Sequence, residues 1–242
     1  MRISVRRAGA VAGLLALAAV TALGGAATAS PSSKAKSPSR AMAEAAHGAS
    51  GGSGKLTVVA EGLDNPRGIG FGPDGALYVA ESGSGGAGPC IPAGPEGEET
   101  CFGRTGAVTR ITERSQHRVL SGLPSVAEEG GVAATGPVDL GFSGWTGYLL
   151  LGNIGDPETR ALFGPGARRL GKLLKFNLRG IRAVADFPRF EAANDPDESA
   201  GTFPGGEPGI NSNPNGLLVR KHSQLVADAG GNDLLKVDPK GR

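Results

Sequence analysis

The chain is poor in the side chains that build most catalytic and metal centres, with 3 histidines, 2 cysteines, 2 tyrosines and 1 tryptophan in 242 residues. His47 falls in a polar spacer, His117 in a short turn region and His222 in a hairpin turn, so none is placed to act as a general base or zinc ligand among inserted loops. Cys90 and Cys101 have no histidine beside them, which argues against a metal set or a nucleophile pair. No Gly-x-Ser-x-Gly sits on a strand-to-helix elbow, and Gly83-Ser84-Gly85 is loop composition. Charge of one sign is also lacking: 25 Lys and Arg against 23 Asp and Glu leave a net charge of +2, which gives no basis for a nucleic-acid partner. Aromatics make up 5% of the chain, against 42 glycines and 17 prolines, a balance that fits short strands and many turns better than helices.

One long apolar run is present, Ala8 to Leu23, preceded by Arg2, Arg6 and Arg7 and followed by the small residues Ala27-Thr28-Ala29. Residues 1–29 therefore read as a cleaved export signal rather than a membrane anchor, because glycine and alanine interrupt and thin the run. Arg6-Arg7 leaves both general and twin-arginine export open. The mature protein is expected to be secreted, with no membrane association after cleavage. In an oxidising compartment Cys90 and Cys101 are expected to pair, closing a short loop worth about 2–3 kcal/mol. Residues 30–54 are rich in Ser, Ala, Gly, Pro and Lys without apolar periodicity and read as a disordered spacer. The folded part spans 55–242 and opens with an expected strand, Leu56 to Ala60.

Internal similarity sets the architecture. Asn65-Pro66-Arg67-Gly68-Ile69 recurs as Gly136-Pro137-Val138-Asp139-Leu140 and as Asn213-Pro214-Asn215-Gly216-Leu217. Each copy leads through a turn into a second apolar run, Leu77 to Ala80, Tyr148 to Leu151 and Gln224 to Ala227. Third runs follow at Gly106 to Ile111, Gly171 to Phe176 and Asn232 to Val237, and fourth runs at Arg118 to Leu120 and Arg182 to Ala185. Four short antiparallel strands per repeating unit predict an all-β fold of β-propeller blades. Leu149-Leu150-Leu151 lacks polar alternation, as expected of a strand covered on both faces.

The stretch Pro66 to Gly83 resembles an NHL-type repeat, and the mature region with its cysteine-bearing first insertion resembles the secreted ScyD/ScyE family. That resemblance implies a six-bladed propeller of the TolB-like class and offers no catalytic set to carry over. Here the chain holds about two and a half to three blades, fewer than the roughly four a closed propeller needs, so a C-terminally truncated propeller is expected, with self-association as the alternative.

In such blades the connections after the second and fourth strands share one face, and these are the long ones: Ser82 to Thr105, Asn153 to Arg169, Pro124 to Gly136 and Pro188 to Asn213. That face is the candidate binding face. Polar residues at the inner strand ends, Arg67, Glu81, Asp139, Asn153, Asn215, Asp228 and Asn232, are the ligand candidates, with Asn65 and Asp233 beside them. Glu81, Asn153 and Asp228 are the candidates for a Ca²⁺ site, no other cofactor being expected. The acidic run Asn194 to Ser199 reads as a solvated loop, lacking the glycine and distal glutamate of an EF-hand. Trp145 is expected to pack against a neighbouring blade. The function these features favour is a secreted binding or scaffold protein with an extracellular protein or small-molecule partner. The alternative is a propeller-type enzyme, such as a Ca²⁺-dependent lactonase or a quinone-dependent sugar dehydrogenase.

Overall fold

In a computed structural model, residues 55–93, 97–198 and 209–238 are described. The expected export signal (1–29) and spacer (30–54) lie outside them, and the described residues from Thr57 onward form one compact unit. The fold is all-β, in three antiparallel sheets. The first contains β1 (Pro66–Phe71), β2 (Leu77–Glu81), β3 (Cys90–Pro92), β4 (Glu99–Thr112) and β5 (Ser115–Ala127). The second contains β6 (Pro137–Ser143), β7 (Thr146–Leu151), β8 (Lys172–Asn177) and β9 (Gly180–Asp186). The third contains β10 (Pro214–Val219), β11 (Gln224–Asp228) and β12 (Asp233–Val237).

The three copies seen in the sequence are structural repeats. Pro66 faces Glu81, Pro137 faces Leu151 and Pro214 faces Asp228, and a register shift follows each proline. Proline is tolerated there because it opens the strand and owes no amide to the ladder. Beyond each second strand one amide returns to the residue before the proline: Ser82 to Asn65 (3.0 Å), Gly152 to Gly136 (2.8 Å) and Ala229 to Asn213 (3.1 Å). The hairpin turns are local chemistry, as at Gly72 to Gly75, where Asp74 Oδ1 accepts the Ala76 amide and Gly75 adopts φ +74°.

The opening strands lie side by side, β6 packing against both β1 and β10. Between the first two sheets sit Ala80, Val108, Leu123, Leu140, Leu149, Leu151 and Leu174. Between the second and third sit Tyr148, Leu150, Leu173, Phe187, Val226 and Val237. β7 therefore sends Leu149 and Leu151 to one core and Leu150 to the other, which is why it shows no polar alternation. A third cluster, Phe102, Val126, Phe163, Ala167 and Leu170, lies beneath the insertions.

Three elements depart from the sequence reading. Leu56 to Ala60 forms no strand, and Leu56, Val58 and Val59 are exposed; strand propensity yields no strand where no ladder partner is at hand. The first insertion is partly strand, since β3 pairs with a β4 that begins at Glu99, and β5 runs on to Ala127. Cys90 and Cys101 are direct partners in that pairing and form the disulfide. The later insertions carry short helices, α1 (Pro157–Leu162), capped by Asp156 Oδ1 on the Thr159 amide at 2.7 Å, and α2 (Phe187–Asn194).

Close approach of β1 and β6 requires Gly68, where a Cβ would stand 2.6 Å from the Asp139 Cα and against its carboxylate. Gly68→Ala is accordingly expected to lose about 1–3 kcal/mol of stability, the usual cost of overpacking. Denaturant titration checks this, and an unchanged midpoint would show that the two strands do not need this contact.

Candidate functional site

Antiparallel pairing brings the long insertions to the end of the sheets where β1, β6 and β10 begin and β2, β7 and β11 finish. There the opening strands enclose a groove of about 490 Å³, lined by Arg67, Gly68, Ala133, Ala134, Thr135, Val138, Asp139, Asn213 and Asn215. Three of the sequence candidates, Arg67, Asp139 and Asn215, thus meet in one place. Arg67 is exposed and its Nη2 donates to the Ala134 carbonyl at 3.1 Å, which steadies the guanidinium over the groove. Asn215 is exposed on the rim. Asp139 spends its oxygens on the backbone: Oδ1 accepts the Leu140 amide at 2.8 Å and Oδ2 the Leu217 amide at 2.7 Å. Burial pushes its carboxyl above the usual aspartate range, and the Leu217 and Leu140 amides pull it back without cancelling the effect.

The other candidates are held elsewhere. Glu81 is fully buried and accepts from the Thr109 hydroxyl, the Asp64 amide (2.7 Å) and Arg118 Nη2 (2.9 Å). Arg118 also pairs with Asp64 at 2.7 Å. Burial raises the Glu81 carboxyl, but Arg118, Thr109 and the Asp64 amide outweigh it and hold the group below the usual glutamate range. Asp228 is also buried, taking the Ser212 hydroxyl (2.6 Å) and the amides of Asn213 (2.6 Å), Gly230 (3.0 Å) and Gly231 (3.2 Å). Asn153 donates to the carbonyls of Gly155 (2.8 Å) and Ser212 (3.2 Å), so Ser212 links it to Asp228. Register puts Glu81 and Asp228 at matching positions, with Leu151 as their counterpart and Asn153 two residues further on. Among the three Ca²⁺ candidates Asn153 therefore stands out of register with Glu81 and Asp228, and the oxygens of the two carboxylates are taken by protein donors.

Asn65 (φ +52°) caps two loops, donating to the carbonyls of Gly83 (2.8 Å) and Gly131 (3.0 Å). Asn232, a ligand candidate, donates its Nδ2 to Asp197 Oδ2 at 2.8 Å. Asp195 and Asp197, expected in a solvated loop, are half-buried beside the buried Glu191. The sequence shows these acids as neighbours but neither their burial nor the approach of Asp233. A second depression of about 670 Å³ on the insertion end, bordered by Glu98, Glu99, Glu128 and Glu129, flanks the disulfide. At the opposite end Trp145 is 77% exposed, a correction to its expected packing between blades. It borders an apolar depression of about 490 Å³ with Tyr78, Leu120, Phe142, Phe176 and Leu178. His117 lies in β5 rather than in a turn, and His222 is exposed in the turn before β11.

The chain matches no protein-family model and no curated protein.

Because Glu81 titrates below its ordinary range when folded, its contribution to stability is complete above the ordinary glutamate value and is lost as the pH falls through the depressed one. Arg118→Ala strands the buried carboxylate and is expected to cost about 2–3 kcal/mol at neutral pH, discounted from a fully buried pair because the guanidinium is 41% exposed. Unfolding midpoints measured from about pH 6 to about pH 3 should then fall less steeply in the variant; parallel curves would remove Arg118 as the cause.

Proposed function

We propose that this chain is an exported binding module of the β-propeller type, similar to the ScyD/ScyE family, whose insertion-bearing end takes a small polar ligand. The observation that carries the reading is the convergence of the insertions on one end of three repeated sheets, around a groove with Arg67, Thr135, Asn213 and Asn215 on its walls. Its volume lies in the usual range for small-molecule sites, and a cation beside amides and a hydroxyl suits a hydroxylated or anionic ligand. The disulfide agrees with export to an oxidising compartment. Satisfied oxygens on Glu81 and Asp228 favour binding over the lactonase or dehydrogenase alternative, which asks for carboxylates free to hold a metal or a base. Thermal-shift screening against sugars, sugar acids and polyols is the test. A hit is expected to disappear in Arg67→Ala and Asn215→Ala while the ligand-free midpoint stays put, and a hit indifferent to both substitutions would move the site elsewhere.

A second reading, a protein partner at the turn end, is favoured by the exposed Trp145 beside exposed Leu178, since apolar patches of this kind mark contact surfaces. Trp145 is the sole tryptophan, so its emission reports directly on that surface. Binding there should shift the emission to shorter wavelength and be lost in Leu178→Ser; a bound partner that leaves the emission unchanged rules this surface out.

A further inference from the structure

α2 ends at Asn194, and Asp195 follows in the left-handed region (φ +44°) with its amide bonded to the Glu191 carbonyl at 2.8 Å. That reversal folds Asp195-Pro196-Asp197 back toward the last turn of the helix. Carboxylate oxygens of Glu191, Asp195 and Asp197 consequently lie within 4.8 Å of one another. The turn between β11 and β12 approaches the same point. Asp228 shapes that turn by accepting the Gly230 and Gly231 amides, and Gly231 has no room for a side chain, since a Cβ there would stand 2.8 Å from Glu191 Oε2. The turn delivers Asn232, whose Nδ2 holds Asp197 Oδ2 at 2.8 Å, and then Asp233.

The cluster is short of donors and of positive charge. Glu191 is 2% exposed, and its Oε1 has no hydrogen-bond partner. Asp197 Oδ1 and both carboxylate oxygens of Asp233 are buried in the same condition. No ion pair among the described residues reaches Glu191, Asp197 or Asp233. Burial, and then the charges of Asp197, Asp233, Asp228 and Asp195, push the Glu191 carboxyl up to about 7. Burial, then Asp228 and Asp197, push Asp233 up to about 6. Anionic groups withdrawn from water settle when they are paired or coordinate a metal, and Glu191, Asp197 and Asp233 have no ion-pair partner among the described residues.

We propose that Glu191, Asp195 and Asp197 form a Ca²⁺ site at the end of α2, with Asp233 of the β11–β12 turn beside it adding negative charge. The donors are all carboxylate oxygens, the set a hard cation prefers, with no nitrogen or sulfur to favour zinc. Oxygens up to 4.8 Å apart are spanned by two ligands each about 2.3–2.6 Å from a shared ion. Carboxylates gathered from a helix end and the bend after it suit the loose coordination of Ca²⁺ better than the strict octahedron of Mg²⁺. Asp228 is not a ligand: its oxygens belong to Ser212, Asn213, Gly230 and Gly231, and it positions the turn. The site differs from the one the sequence suggested and stands apart from the Arg67 groove, so neither reading depends on the other.

The test is calorimetric titration of the chelator-treated full chain with CaCl₂, with thermal unfolding alongside. One Ca²⁺ per chain is expected, with Tm rising by about 5–10 °C at a hundredfold excess over Kd. Glu191→Gln and Asp233→Asn are each expected to weaken Ca²⁺ binding at least about tenfold. Relief of like charge should leave the chelated midpoint of each variant unchanged or higher, whereas a purely structural Glu191 or Asp233 would lower it. Glu128→Gln, on another loop, should bind as the parent does, and Mg²⁺ should give less than about a tenth of the shift. Absence of binding heat and of any Tm shift in the parent chain, or undiminished binding in both variants, would overturn the proposal. Should either variant fail to fold, native mass spectrometry of the parent chain decides it: one retained Ca²⁺ supports the site and none refutes it.

Discussion

The carboxylate of Asp139 is the point on which the assembly of sheets turns. It stands in β6, holds the amide of its own neighbour Leu140 and reaches across to the amide of Leu217 in β10, while β1 presses against it from the other side at Gly68. One side chain thus touches the opening strand of every sheet. Placing it there has a cost, because burial makes the charged form less favourable and two amides offset that only in part. The contact is kept because nothing apolar of that size could accept two main-chain donors that would otherwise be buried without partners.

Most of the sheet structure was legible. Proline-bearing openings, turn glycines and the unalternating Leu149-Leu150-Leu151 identified the strands of each repeat to within a few residues, because each signal is set by local backbone chemistry or by burial on both faces. What stayed hidden depends on partners. Leu56 to Ala60 has strand composition but no edge to join, and the extension of β4 to Glu99 comes from pairing with a glycine-rich and proline-rich segment that alone reads as loop. α1 carried a readable start in Asp156-Pro157, whereas α2 did not, its Asp186 making no capping bond. Among the site candidates, Arg67 and Asn215 each follow the opening proline of their repeat and line one groove, and Asp139, one residue further along its own repeat, lines it with them. Glu81 and Asp228 were chosen for the right positions, but sequence could not say that Arg118, Thr109 and Ser212 would claim their oxygens. The run Asn194 to Ser199 was visible as acidic, but its half-burial beside the buried Glu191 and the approach of Asp233 come only from the fold.

The two ends of the sheets differ in character. The insertion end carries the Arg67 groove, a depression edged by glutamates and the Glu191 cluster; the turn end of the first two sheets carries an apolar depression, with Tyr78, Phe142 and Phe176 in edge and tilted contact beside Trp145, next to charged residues such as Asp74, Arg110 and Arg179. Such a division arises from topology rather than from composition. Short turns close on a few local hydrogen bonds, while long connections must carry their own hydrogen-bond partners.

Strand order within the sheets bears on how the chain acquires its shape. Each strand of the second and third sheets pairs with a strand adjacent in sequence, so these sheets close over short stretches of chain. The bond from Leu217 to Asp139 spans 78 residues. An emerging polypeptide can therefore complete its first and second sheets while Asp139 still faces water, and the third sheet then arrives to a surface already formed. Assembly in the order of synthesis would leave the costly burial of that carboxylate to the last step.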